Sequence, residues 1–167
     1  MNKYIITASV LCLFLYVGCG MPQTVRDYSA VPADRLYKFE MPGKEWSRED
    51  VSDQTLLLEN RENGAWVAII TNFIDNKDLV PKIMVNHLLI DIKDKEILKK
   101  DKVTLDGKDA VNMVLNGKVG DSVVKMNVFV VKSGEVGLNI IYWAPIDKYE
   151  GGVEEFYSLV KSLKFIK

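Results

Sequence analysis

The side chains able to act as nucleophile, general base or metal ligand are few in this 167-residue chain: two cysteines, Cys12 and Cys19, one histidine, His87, and 23 scattered carboxylates. Zinc sites draw on Cys and His, so a metal here would have His87 and carboxylates alone to hold it. The acidic run Asp75-Asn76-Lys77-Asp78 offers oxygens for a cation but lacks the Gly and Glu spacing of a calcium loop, and it reads as the approach to a helix. A Ser–His–Asp set would have to use His87, and no G-x-S-x-G turn or phosphate-cradling glycine loop occurs. The stretch "SGEVG" is better read as a hairpin turn. The neighbouring carboxylates Glu154 and Glu155 fall on what should be the solvated face of a terminal helix. No catalytic residue, cofactor site or metal site is therefore expected, and the chain reads as a non-enzyme.

The thiols have another use. "MNKYIITASVLCLFLYVGCG" carries a positive Lys3, an uncharged apolar run from Tyr4 to Val17, and then small residues. The run is short for a membrane span, which needs about 20 residues, and suits an export signal. Its end, Val17-Gly18-Cys19, resembles the bacterial lipobox, in which a small residue precedes an obligatory cysteine. Tyr16 departs from that pattern, where Leu is usual three residues before the cysteine. The resemblance implies that a diacylglycerol is attached to the Cys19 sulfur and that cleavage after Gly18 makes Cys19 the lipidated N-terminus. Cys12 would leave with the signal and Cys19 would be blocked, so Cys–His catalysis drops out and no disulfide is available. Several acyl chains, including an amide-linked one such as palmitate, would give lasting attachment. Gly20 rather than Asp follows the cysteine, which favours the periplasmic face of the outer membrane if the cell has two membranes.

The elements behind these residues follow from pattern and turn chemistry. With 48% hydrophobic and 27% charged residues and a net charge of −1, the chain can build a core and has no basic stripe for nucleic acid. Residues 1–18 read as signal peptide, 19–35 as a tether with two prolines and little periodicity, and 36–167 as one domain. "LYKFEMP" alternates, with Tyr37, Phe39 and Met41 on one face, and predicts a short edge strand. Hairpins are predicted at Asn63-Gly64, expected as a type I′ turn, at Asp106-Gly107, and around Lys132-Ser133-Gly134-Glu135. Runs apolar on both faces, such as Trp66 to Ile70, predict central strands, with Trp66 and Trp143 buried. Helices are predicted over 79–92 and 146–163. In the second, Tyr149, Val153, Phe156, Val160 and Leu163 form the core stripe. In the first, Val80, Ile83, Met84, His87 and Leu88 share an apolar face, which predicts a partly buried neutral His87. Val85, Leu89 and Ile92 lie on another side, so the helix is either covered there or presents a partner-binding patch that includes Leu89.

About six antiparallel strands with two covering helices make an α+β fold. A strand pair, a helix, "LDGKDA" between strands, two long strands and the terminal "APIDKYEGGVEEFYSLVKSLKF" resemble the PsbP-like superfamily in element order. That resemblance implies a binding or assembly-support domain and brings no catalytic motif. The expected function is a membrane-anchored envelope lipoprotein with a protein partner, accessory to a transport or envelope complex. The alternative is a small envelope hydrolase with carboxylate chemistry, which a cluster of carboxylates in a cleft would favour.

Overall fold

A computed structural model describes residues 35–52, 54–75, 79–89 and 92–166. In chain order the elements are β1 (Tyr37–Lys38), β2 (Trp46–Ser52), β3 (Thr55–Asn60), β4 (Trp66–Phe73), helix α1 (Pro81–Leu88), β5 (Lys93–Leu105), β6 (Lys108–Val119), β7 (Ser122–Ser133), β8 (Val136–Pro145), a 3-10 turn (Ile146–Gly151), helix α2 (Val153–Ser162) and β9 (Lys164–Phe165). Strands β2 to β8 form one antiparallel sheet in the order β2-β3-β4-β8-β7-β6-β5, and β1 pairs with β9 in a separate ribbon. This is the α+β fold expected from the sequence, with seven strands in the main sheet rather than about six.

The topology gives α1 its job. Three hairpins bring β5, β6, β7 and β8 back toward β4, so the chain must first cross from β4 to the far edge, and α1 makes that crossing over one face of the sheet. Leu57, Ala68, Met113, Leu115, Met126, Val128, Ile141 and Trp143 form that face together with Met84, Val85, Leu88 and Leu89 of the helix region. The alternate residues Leu58, Val67, Ile69, Phe129, Ile140 and Tyr142 point the other way, against Phe156, Leu159 and Val160 of α2. Central strands covered on both faces are apolar on both, as the runs in β4 and β8 show. Trp143 is buried, whereas Trp66, stacked on it at 6.3 Å, is only half-buried because it borders the part of the face that α1 leaves open.

The turns explain the register. Asp106 and Gly107 both have positive φ, 47° and 73°, the type I′ signature. At Asn63-Gly64 only the glycine is positive, so the expected type I′ turn is not formed. Instead Asn60 Oδ1 accepts from the amides of Glu62 and Asn63, and the loop closes with the Asn60 amide donating to the Ala65 carbonyl at 2.8 Å. A local Asn side chain has replaced the tight turn. Gly120 and Gly134, at 59° and 62°, each begin a two-residue loop whose second residue is not positive, the type II′ pattern.

Both helices are shorter than their apolar patterns. Pro81 starts α1 at the position where a missing N–H costs nothing, and Leu89 caps it; residues 90 and 91 lie outside the described residues. In the second, residues 146–151 wind as 3-10 and the α-helix begins only after Gly152, where a Cβ would lie 3.1 Å from both the Tyr142 hydroxyl and Asn63 Nδ2. The stripe itself is as expected, since Tyr149, Val153, Phe156, Val160 and Leu163 are all buried.

Candidate functional site

His87 stands on the outer side of α1 and is exposed, together with Val80, Ile83 and Asn86. The face expected to hold it is rotated: Met84, Val85, Leu88 and Leu89 point inward, and Val80 and Ile83 point out. The physical reason is volume. Centring the helix between Leu88 and Val85 buries four branched or long apolar chains, whereas centring it on Val80, Ile83 and His87 would bury an imidazole and leave Val85 and Leu89 in water. Leu89 is therefore core, 4% exposed, and the helix is covered there rather than presenting a patch that includes it.

The carboxylates have structural uses. Glu155 Oε2 accepts the indole N–H of buried Trp46 at 2.7 Å and ties α2 to edge strand β2. Glu155 is thus half-buried and bonded rather than solvated, while its neighbour Glu154 is exposed. Glu45 and Glu155 both crowd Gly43, where a Cβ would lie 2.9 Å from one carboxylate and 3.0 Å from the other. Asp75 is exposed, and Asn76, Lys77 and Asp78 lie outside the described residues, as does Cys19. Among the described residues no three His, Cys, Asp or Glu side chains are grouped to hold a metal ion.

The phenols beneath α2 are structural too. Tyr142 donates its hydroxyl to the Tyr149 carbonyl at 2.7 Å, and burial pushes both phenols well above the usual tyrosine range, so they remain neutral donors. Buried Asn112 donates to Asn127, which in turn donates to the Tyr157 hydroxyl at 2.8 Å, linking β6 and β7 to α2. Nothing in this chain of bonds points at a substrate; it satisfies polar groups on a packed face.

What the domain offers outward is a surface. On α1 it is the exposed strip of Val80, Ile83 and His87. Beside it runs β5, the far edge strand, locked to the helix by Lys95 Nζ on the Leu89 carbonyl at 2.9 Å and Lys100 Nζ on Asn86 Oδ1 at 3.0 Å. Between those lysines Ile97 and Leu98 stand about half exposed, at 49% and 47%. Irregular register between Lys93 and Glu96 and between Ile97 and Lys99, with lysine along the strand, blunts β5 as a template for another sheet. The arrangement suits side-chain docking of an apolar partner surface with acidic flanks. In the sequence "KEILKKDKVTL" reads as an ordinary hairpin arm, and only the adjacent Ile97-Leu98 inside a lysine-rich strand marks this edge.

No family model and no curated protein sequence matches the chain. Solved structures match in fold. Cyanobacterial PsbP (CyanoP) from Synechocystis sp. PCC 6803 superposes with a TM-score of 0.60 at 14% identity, over 88% of this chain and 98% of that one. LpqN of Mycobacterium tuberculosis, described as involved in cell envelope biogenesis, also gives 0.60, at 12% identity, over 78% of this chain and 84% of that one. At such identities the likeness is one of fold: the chain shares the PsbP-like architecture.

Proposed function

We propose that this chain is a non-catalytic accessory domain of the cell envelope, held to a membrane by lipid on Cys19 and serving as a docking or assembly-support module for another envelope protein. The observation that carries the reading is the pairing of a PsbP-like fold, in which the carboxylate Glu155 is used to bond Trp46, with an outward strip on α1 and β5 that combines apolar and basic side chains. Support for the location is the lipobox-like Val17-Gly18-Cys19. A fold shared with LpqN, itself described as involved in cell envelope biogenesis, agrees with it. Among the described residues no helix is long and apolar enough to cross a membrane.

The test is cross-linking in intact cells followed by purification of the full chain, with Ile83→Asp and Leu98→Asp as the controls. One envelope protein should be captured by the parent chain and lost from both variants. Equal capture by all three, or capture abolished only when the fold is lost, overturns the surface. Acyl labelling that persists in Cys19→Ser overturns the anchor.

A further inference from the structure

The described chain begins at Arg35 and enters at once the two-stranded ribbon of β1 and β9, in which Tyr37 stands opposite Phe165 and Lys38 opposite Lys164. The ribbon has two unlike sides. Tyr37 is buried and Phe165 half-buried against the α2-side core. The other side shows solvent exposed Lys38 and Lys164, followed by Ile166 at 46% exposure, whose amide donates to the Leu36 carbonyl at 2.9 Å. Two lysines directly across an antiparallel pair repel each other. Lys164 has one counter-ion, Asp106, at 3.2 Å; Lys38 makes no ion pair among the described residues. Asp106 also accepts the Phe165 amide at 2.9 Å, so its charge is already engaged. Arg35 and Lys108 are exposed as well, Lys108 close enough to act on Asp106, and so are the acids Glu40, whose amide donates to Ser162 Oγ at 2.8 Å, and Asp109. A basic pair edged by an exposed isoleucine is what a surface needs to lie against lipid headgroups: cations for phosphate and an apolar tip for the interface.

Chain connection decides which ligand meets this corner. On the anchored reading above, only residues 20–34 separate the lipidated Cys19 from the ribbon, and a flexible chain of that length would have an r.m.s. reach of roughly 20 Å. The ribbon is the first element of the described residues. Tethering at that range gives a local concentration on the order of millimolar, so a contact too weak to hold a free protein still orients an anchored one. We propose that the β1–β9 ribbon, through Arg35, Lys38, Lys164 and Ile166, rests on the anionic surface of the membrane that holds Cys19. The occupant is the phosphate layer of an acidic bilayer. The consequence is orientation: the Gly120-Asp121 turn, at the opposite end of the long β6 strand, points away from the bilayer, and the α1–β5 surface stands sideways to it, free for a partner.

The inference rests on the lipid anchor, and the experiment separates the two. The full chain, purified with its lipid, is labelled through an introduced thiol at Thr104→Cys, near the ribbon end, or at Asp121→Cys, at the far end about 40 Å away along β6. Energy transfer to headgroup acceptors is read in phosphatidylcholine vesicles with and without phosphatidylglycerol. The tether alone brings position 104 nearer the bilayer than 121; docking predicts that the excess of transfer from 104 rises when phosphatidylglycerol is present. That rise should vanish in 1 M salt, where the Debye length is about 3 Å, and the binding behind it should weaken about fivefold for each of Lys38→Gln and Lys164→Gln. A chain that stays on both kinds of vesicle with the same excess on each overturns docking and leaves the anchor standing. A chain that leaves neutral vesicles overturns the anchor. In that case docking stands only if sedimentation with phosphatidylglycerol vesicles is salt-sensitive and lost in the double Gln variant, and falls otherwise.

Discussion

Replacing Leu89 by Asp separates the observed helix orientation from the one its apolar pattern suggests. Leu89 is 4% exposed and belongs to the cluster formed with Met84, Val85, Leu88, Ile92 and the α1 face of the sheet. The substitution removes burial worth about 1.5–3 kcal/mol for a leucine side chain. It also places a carboxyl group among apolar neighbours, which costs a further ~2 kcal/mol or more even after the group takes up a proton. The sum is about 3.5–5 kcal/mol, a large fraction of the 5–15 kcal/mol that holds an ordinary domain together. At about 2.1 cal/mol/K per residue, a domain of roughly 130 residues unfolds with an entropy near 0.27 kcal/mol/K, so Tm should drop by about 13–18 °C. Ile83→Asp, on the outer side of the same helix at 44% exposure, should shift Tm by no more than about 2 °C, because an exposed substitution is worth within about 0.5 kcal/mol. Thermal unfolding followed by circular dichroism on both variants is the assay. A Leu89→Asp protein within a few degrees of the parent, or an Ile83→Asp protein destabilised by 10 °C, would refute the packing described here.

Other consequences are as direct. A Cβ on Gly117 would drive into the branched Cγ2 of Ile92, whereas one on Gly137 would meet the flexible ends of Ile74 and Met84 at 2.5 and 2.6 Å. Both Ala variants should lose stability, on the order of 1–3 kcal/mol, with Gly117→Ala the worse by denaturant melts. The Phe165 amide and then Lys164 hold the Asp106 carboxyl below the usual aspartate range. A depressed folded pKa stabilises above the unfolded value and is lost as pH falls. Amide exchange in β9 should therefore speed up as pH drops below about 3.9, corrected for intrinsic rates, and Asp106→Asn should abolish that step while keeping the positive-φ turn. Half-buried Trp66 and buried Trp46 and Trp143 should divide tryptophan emission into quencher-accessible and protected fractions, with Trp66→Phe removing the first.

Where local chemistry and packing agree, the structure was legible in the residues. Asp106-Gly107 set a hairpin without help from elsewhere, and the α2 stripe from Tyr149 to Leu163 needed only its periodicity. Both-sided apolar runs marked β4 and β8 as central. Strand β2 was invisible because "WSREDVS" carries three charges; it belongs to the sheet through its pairing with β3 and through Trp46, whose indole reaches Glu155 109 residues away. The same long-range bond hid the role of Glu155, which in isolation looks like any surface glutamate. Met41 failed to follow Tyr37 because the ribbon ends at Lys38, leaving Met41 47% exposed. The α1 face was misjudged because Val80, Ile83, Met84, Val85, Leu88 and Leu89 nearly encircle the helix. Such a sequence fits several rotations, and the sheet beneath, with Gly137 open to Met84, selects one. Cys19 was read from its neighbours alone, since a modification site depends on a recognised peptide rather than on packing.

Attachment of the domain to the envelope through Cys19 is decided by the intact mass of the full chain extracted with detergent from its own membranes. The expected species begins at Cys19, lighter by residues 1–18 and heavier by a diacylglycerol and an amide-linked acyl group, with no thiol left to alkylate. A chain that retains Met1, or one that begins elsewhere and carries Cys19 as a free thiol, would contradict it.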